Sequence, residues 1–176
     1  MKDAIESLLE DDHDSLGELL SKLEVEMAGN SVARTFELLD LFWARLAIHI
    51  RAEHLHLFPA VEDAPEALFD RKGLPAASEV RDVVARLRYD HDFFMKELAQ
   101  MINTMREIIA DSESSSEAIR NLRPRLAAVR ERLEEHNRLE EQQVYLWPSL
   151  VLDETSIMTL VENVRHELEN LPGRFH

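Results

Sequence analysis

Apolar residues recur at intervals of three and four along most of the chain, the pattern of helices that bury one face. The first such stretch runs from about Asp3 to Met27, with Ile5, Leu9, Leu16, Leu20, Leu23 and Met27 on its stripe, and stops at Gly29-Asn30. Ser31 stands where the next helix would be capped; that helix carries Leu39, Phe42, Leu46 and Ile50 to about Glu62. Pro65, Gly73 and Pro75 then break the pattern and predict a looser connection. A third helix is predicted from near Ser78 to about Ala110, through Val80, Val83, Val84, Leu87, Phe94, Leu98, Met101 and Met105. Asp111 to Ser116 reads as a serine-rich loop, and Ser114 with Glu117 has the spacing of a capping box. The fourth helix carries Leu122, Leu126, Val129, Leu133 and Val144 and is predicted to end near Trp147-Pro148. Pro124 should kink it or mark its first turn. A shorter fifth helix, about Glu154 to Glu169, has Asp153 as its expected cap. Four long amphipathic segments joined by mostly short loops predict an all-α, up-down-up-down four-helix bundle, one domain over residues 1–176, with the fifth helix outside it or at one end.

Some polar residues fall on these stripes and not opposite them. The first reads Leu9, His13, Leu16 and the third Leu87, His91, Phe94; the second reads Leu46, His49, Glu53, His56 and the fourth Leu133, His136, Glu140, Gln143. Residues four apart share a helix face one turn apart, so His49 with Glu53, and His136 with Glu140, each point a nitrogen and an oxygen inward. Counting along the helices places them level. His91 and His136 each lie roughly 20 residues from the serine loop, and about 13 residues separate His49 and His91 from the turn between them. The first turn is less even, about 14 residues against 18, one helical turn of offset.

A single histidine on an apolar face is more often a satisfied core residue than a ligand, but buried glutamates are different. An unpaired buried carboxylate is costly or protonated, and no Lys or Arg lies on the adjacent turns of the two stripes. A metal ion would supply the missing charge. With no Cys in the chain there is no disulfide or thiolate chemistry, so any metal takes nitrogen and oxygen donors, which suit Fe, Mn and Zn alike.

Composition narrows the rest. The net charge of -15 disfavours nucleic acid and anionic membrane surfaces as partners. No uncharged apolar run approaches the length needed to span a bilayer, and the start, Met-Lys-Asp-Ala-Ile-Glu-Ser, lacks the apolar segment of a signal peptide. The expectation is a soluble, cytoplasmic protein.

The set formed by His13, by His49-Ile-Arg-Ala-Glu53 followed by Leu57-Phe58-Pro59, by His91, and by His136-Asn-Arg-Leu-Glu140 followed by Leu146-Trp147-Pro148 resembles the hemerythrin-like, HHE cation-binding family over nearly the whole chain. The resemblance implies two helical-hairpin halves, each giving a His and a His-x3-Glu, that enclose two non-heme irons bridged by carboxylates. His49 and Glu53 recur at His136 and Glu140 with one offset of 87, although Pro follows Glu53 by six residues and Glu140 by eight. Oxygen-carrying members use a fifth histidine one turn from the third-helix ligand. Leu87 and Met95 stand there in this chain, which argues against a reversible carrier and towards iron handling, or nitric oxide and oxidative stress, with O2, NO or peroxide as the small ligand. Iron storage or delivery, ferritin-like oxidase chemistry and an iron- or oxygen-responsive interaction module are the alternatives. The ferritin-like spacing occurs at Glu10 with His13 and at Glu53 with His56, but not on the third and fourth helices. His56 is a candidate auxiliary ligand, whereas His54 is expected at the surface or a helix boundary and His166 and His176 in solvent. Tyr89 and Tyr145 could bond a metal-bound oxygen species or, as the commoner arrangement, be buried on ordinary partners.

Overall fold

A computed structural model describes residues 4–29, 31–71, 74–110 and 115–175. In chain order it contains α1 (Ala4–Gly29), α2 (Val32–Ala52), a π-helical turn (Glu53–Leu57), α3 (Phe58–Glu62), α4 (Glu66–Arg71), α5 (Ala77–Ala110) and α6 (Ser115–Gln142). A 3-10 turn (Val144–Leu146), α7 (Trp147–Val151), α8 (Glu154–Leu168) and a final 3-10 turn (Gly173–Phe175) follow. There is no strand among the described residues. The long helices α1, α2, α5 and α6 carry the predicted stripes. Each packs on the next, and α6 returns to α1, so neighbours in sequence are neighbours in space, the up-down-up-down bundle. Helix α8 lies outside, against α1, α2 and the π turn.

Local signals act as their chemistry suggests, with exceptions. The Asp153 carboxylate accepts the Ser156 N–H at 2.8 Å and caps α8. Ser31 occupies the N-cap position of α2, but its hydroxyl makes no cap bond there; its carbonyl accepts the Thr35 N–H. Pro124 lies well inside α6, beyond its first turn. The connection after Pro65 contains the short helix α4, which the pattern had not predicted. Asp3, Asn30, Gly73, Asp111 to Ser114 with the capping-box serine, and His176 lie outside the described residues.

Two departures from α geometry matter for the interior. Helix α2 does not run unbroken to Glu62: from Glu53 it widens into a π turn, in which the Phe58 N–H bonds to the Glu53 carbonyl five residues back. Helix α6 stops at Gln142, short of Trp147, because Gln143 takes φ -133° and ψ -65° and turns the chain. After each departure comes a five-residue helix with proline in its first turn, Phe58-Pro59 in α3 and Trp147-Pro148 in α7. The six-against-eight mismatch of the repeat thus sits in the two irregular turns.

The core divides into two apolar clusters. One joins Leu16 to Met27 of α1 with Phe42, Phe94, Leu98 and Leu133. The other joins Ile5 and Leu9 with Phe58, Leu87, Tyr145 and Trp147, under Leu160 and Val164 of α8. His13, His91, His136 and Glu140 fall between them in sequence, while on the second helix His49 and Glu53 flank the junction from Ile50 to Ala52; all six are buried.

Candidate metal centre

The six predicted residues meet in this layer. The four histidines turn Nε2 inward and form two pairs, His13 with His49 at 3.1 Å and His91 with His136 at 2.9 Å between Nε2 atoms. Between the pairs lie Glu53 and Glu140, both without solvent exposure. Glu53 Oε1 is 3.5 Å from His49 Nε2 while its Oε2 is 3.3 Å from His91 Nε2. Glu140 Oε2 is 3.4 Å from His13 Nε2 while its Oε1 is 3.0 Å from His136 Nε2. Each carboxylate therefore offers one oxygen to each histidine pair.

Donors bound to one ion by bonds of about 2.1 Å at right angles stand about 3 Å apart, and these separations match that spacing. Two overlapping groups, Glu53, His91, His136 and Glu140, and His13, His49 and Glu140, each keep their donor atoms within 4.8 Å of one another. Glu53 Oε2 and Glu140 Oε1, the oxygens on the His91 side, are buried without a hydrogen-bond partner. Such orphans are rare in folded proteins. No Lys or Arg forms an ion pair with either carboxylate among the described residues, whose partners here are histidines and Tyr145.

The outer nitrogens carry a pattern that the stripes did not disclose. His49 Nδ1 donates to Asp12 at 2.9 Å, His136 Nδ1 to Asp90 at 3.4 Å and His13 Nδ1 to Glu141 at 2.8 Å; His91 Nδ1 lies 2.9 Å from His54 Nε2. Each supporter is the sequence neighbour of an inward residue, yet serves the histidine of the next helix. Asp12 of α1 reaches α2, His54 of the π turn reaches α5, Asp90 of α5 reaches α6, and Glu141 of α6 returns to α1, a closed ring around the bundle. Arg45 and Arg132 anchor Asp12 and Asp90 in turn, at 2.7 and 2.8 Å. Outer partners of this kind fix the tautomer and orientation of an imidazole and raise its basicity as a donor. His54 occupies the repeat position of Glu141, again 87 residues away, so one of the four supporters is an imidazole instead of a carboxylate.

His54 stands at the helix boundary, as expected, but it also supports His91, whereas His56, the candidate auxiliary ligand, does not reach the layer. A π turn advances fewer degrees per residue than the ~100° of an α-helix, which keeps His54 near the face of Glu53 and swings His56 outward. His56 instead lines a surface groove of about 560 Å³ with Pro59 and Leu152. Gln143 leaves the inward stripe as well, because α6 ends before it, and is exposed. The Glu53 and His56 pair thus cannot act together as a ferritin-like element. His166 is exposed as expected. Tyr89 is 69% exposed, under the Arg132 guanidinium, and takes no part in the layer.

Tyr145 belongs to the centre. On an unbroken α6 it would lie about 140° around the helix from Glu140; the break at Gln143 brings it back. Its hydroxyl lies 2.8 Å from Glu53 Oε1, 3.2 Å from Glu140 Oε2 and 2.9 Å from His13 Nε2.

The electrostatics are those of a packed polar cluster in which buried carboxylates and imidazoles shift one another. Burial, then the charge of Glu140, pushes Glu53 above the ordinary carboxylate range. Burial would do the same to Glu140, but His136 and His13 hold it well below that range. Burial opposes charge on His136 too, yet Glu140 and Asp90 push it up to about 9, whereas burial, with the neighbouring His136 charge, takes His91 down to about 2. Burial, followed by Glu140 and Glu53, lifts the Tyr145 phenol well above its usual value.

The model of the Hemerythrin HHE cation binding domain matches residues 4–147. The chain belongs to the hemerythrin HHE family. No curated protein and no solved structure matches it. The matched span holds α1 to α6 and the turn bearing Tyr145, and leaves α8 beyond it. In this hemerythrin HHE domain the buried His and Glu cluster is compatible with metal binding, and among the described residues no helix is long and apolar enough to cross a membrane.

Proposed function

We propose that the protein is a cytoplasmic, single-domain di-iron protein that binds or reacts with O2, NO or a peroxide in iron homeostasis or in nitrosative and oxidative stress. The observation that carries the proposal is the division of both carboxylates between the two histidine pairs. His13 and His49 would hold one ion, His91 and His136 the other, and Glu53 and Glu140 both. Two bound irons would supply electrons and open coordination positions for a small ligand. The chain's own contribution is rigidity and exclusion of water: Nε2 atoms aimed by the ring of outer partners, between two apolar clusters that leave the layer buried. Leu87, buried one turn from His91, supplies no further nitrogen. That supports reaction or sensing over reversible carriage.

Anaerobic iron loading followed by metal analysis tests the first half of the proposal, with about two Fe per chain expected; a ratio near zero sinks it. Spectra of the reduced protein exposed to O2, NO and peroxide test the second. A reversible oxygen adduct would favour carriage instead, and inert spectra with retained iron would favour storage.

Metal uptake should also be coupled to protons. His136, raised to about 9 in the metal-free protein, carries a second proton at pH 7 that must leave before both its nitrogens can serve. Uptake at pH 7 is therefore expected to release protons, and affinity to fall about tenfold per pH unit per displaced proton below about pH 9. Calorimetric titration in buffers of different ionisation enthalpy reads the release directly; a heat independent of buffer would refute the coupling.

A further inference from the structure

Tyr145 is one of only two tyrosines in the chain and is fully buried. Four donor atoms surround its oxygen: Glu53 Oε1 at 2.8 Å, His13 Nε2 at 2.9 Å, Glu140 Oε2 at 3.2 Å and His49 Nε2 at 3.5 Å. These are the atoms assigned above to one ion. A phenol has a single proton to donate, so it cannot serve two carboxylate oxygens at full strength. The outer partners approach their histidines from behind, at Nδ1. Tyr145 instead faces both histidines at Nε2 and both carboxylates at the oxygens turned towards that pair. Its separations equal those among the other donors, about 3 Å, as for members of one coordination shell. On the His91 side the corresponding carboxylate oxygens, Glu53 Oε2 and Glu140 Oε1, have no hydroxyl neighbour of this kind and no hydrogen-bond partner.

We infer that Tyr145 is itself a metal ligand, its phenolate oxygen binding iron(III) held by His13, His49, Glu53 and Glu140. The inference rests on the di-iron proposal and deepens it, since it gives one iron a fifth protein donor and leaves the two irons unlike. A phenolate is a hard oxygen donor of a type iron accepts. In the binding step the phenolic O–H bond breaks as the O–Fe(III) bond forms, the proton passes to solvent, and no electron moves. The break at Gln143 acquires a purpose on this reading, because an uninterrupted α6 would carry Tyr145 away from the ion.

The test uses the full chain loaded anaerobically with Fe(II), oxidised with ferricyanide and analysed for iron in the same sample. A broad visible phenolate-to-iron(III) charge-transfer band is expected, with tyrosinate ring modes enhanced in resonance Raman when the band is excited. Tyr89→Phe should keep both signals, and Tyr145→Phe should retain iron and lose them. Iron-loaded wild type without the band, or a band that survives Tyr145→Phe, overturns the inference and leaves the di-iron proposal standing; absence of iron overturns both. If Tyr145→Phe fails to fold, wild type and Tyr89→Phe still decide, because tyrosinate modes in Tyr89→Phe can come from Tyr145 alone.

Discussion

Replacing Glu53 by glutamine is expected to leave the bundle folded and to weaken iron retention by more than about 100-fold. Removal of an outer partner of a ligand typically costs 10–100-fold in affinity, and Glu53 faces both histidine pairs, so on the di-iron proposal its loss would remove a charged donor from two ions at once. Glutamine is nearly isosteric and keeps one carbonyl oxygen that can still accept from the Tyr145 hydroxyl, 2.8 Å away in the parent. Its amide nitrogen, in the place of the Oε2 atom 3.3 Å from His91 Nε2, has no lone pair to offer an ion. The metal-free variant should suffer little. Burial and the Glu140 charge already push Glu53 towards its neutral form, so a permanently neutral side chain relieves repulsion with Glu140 instead of adding strain. Two measurements separate the effects: iron per chain after dialysis against graded chelator, and urea unfolding of both metal-free proteins. Iron retention equal to wild type would remove Glu53 from the ligand set, and collapse of the metal-free variant would assign it a structural role.

What could be read from the sequence followed the periodicity of each segment. Where a helix stays α-helical, the stripe reports its inward face correctly, as at His13, His49, His91 and His136, all buried between apolar neighbours. Glu53 and Glu140 were legible for a second reason, the cost of burying a carboxylate without a cation. The stripe fails one residue after helical geometry changes. Nothing in Glu-His-Leu-His-Leu announces a π turn, and the turn brings His54 to His91 and carries His56 to a surface groove. Gln143 has no glycine or proline beside it to signal the break that redirects Tyr145. The outer ring was hidden differently. Asp12, Asp90 and Glu141 looked like ordinary acidic residues in a chain with many, and their role follows from which flank of the helix faces the next one in the bundle. That flank holds the residue before the inward one on α1 and α5 and the residue after it on α2 and α6, as expected when alternate helices run in opposite directions. Once the up-down order is known, adjacency to an inward ligand is a usable signal.

Stripping the metal should destabilise the protein far more than any surface change. An ion that binds only the folded chain stabilises it by about 4 kcal/mol when its free concentration is 1,000-fold above its dissociation constant, so two such sites contribute about 8 kcal/mol. A chain of this size shifts by roughly 2–4 °C per kcal/mol, and loss of both ions is expected to lower Tm by roughly 15–30 °C. The reason lies in the middle layer. Without ions it must hold two carboxylates and four imidazoles at mutual distances near 3 Å, with Glu53 Oε2 and Glu140 Oε1 left without hydrogen-bond partners. It does so by keeping Glu53 closer to neutral and favouring charge on His13, His49 and His136, beside the carboxylates. The layer also divides the core, so the apolar cluster around Phe42 and Leu98 and the one around Phe58 and Trp147 are coupled across it. Scanning calorimetry of iron-loaded and chelator-stripped protein at equal concentration checks the shift. A difference under about 5 °C would mean that the polar layer is self-sufficient. Native-state hydrogen exchange would then locate the loss: protection should fall first around His49 and His136 and remain in the Phe42 cluster, because that half of the bundle keeps its packing whether or not the ions are bound.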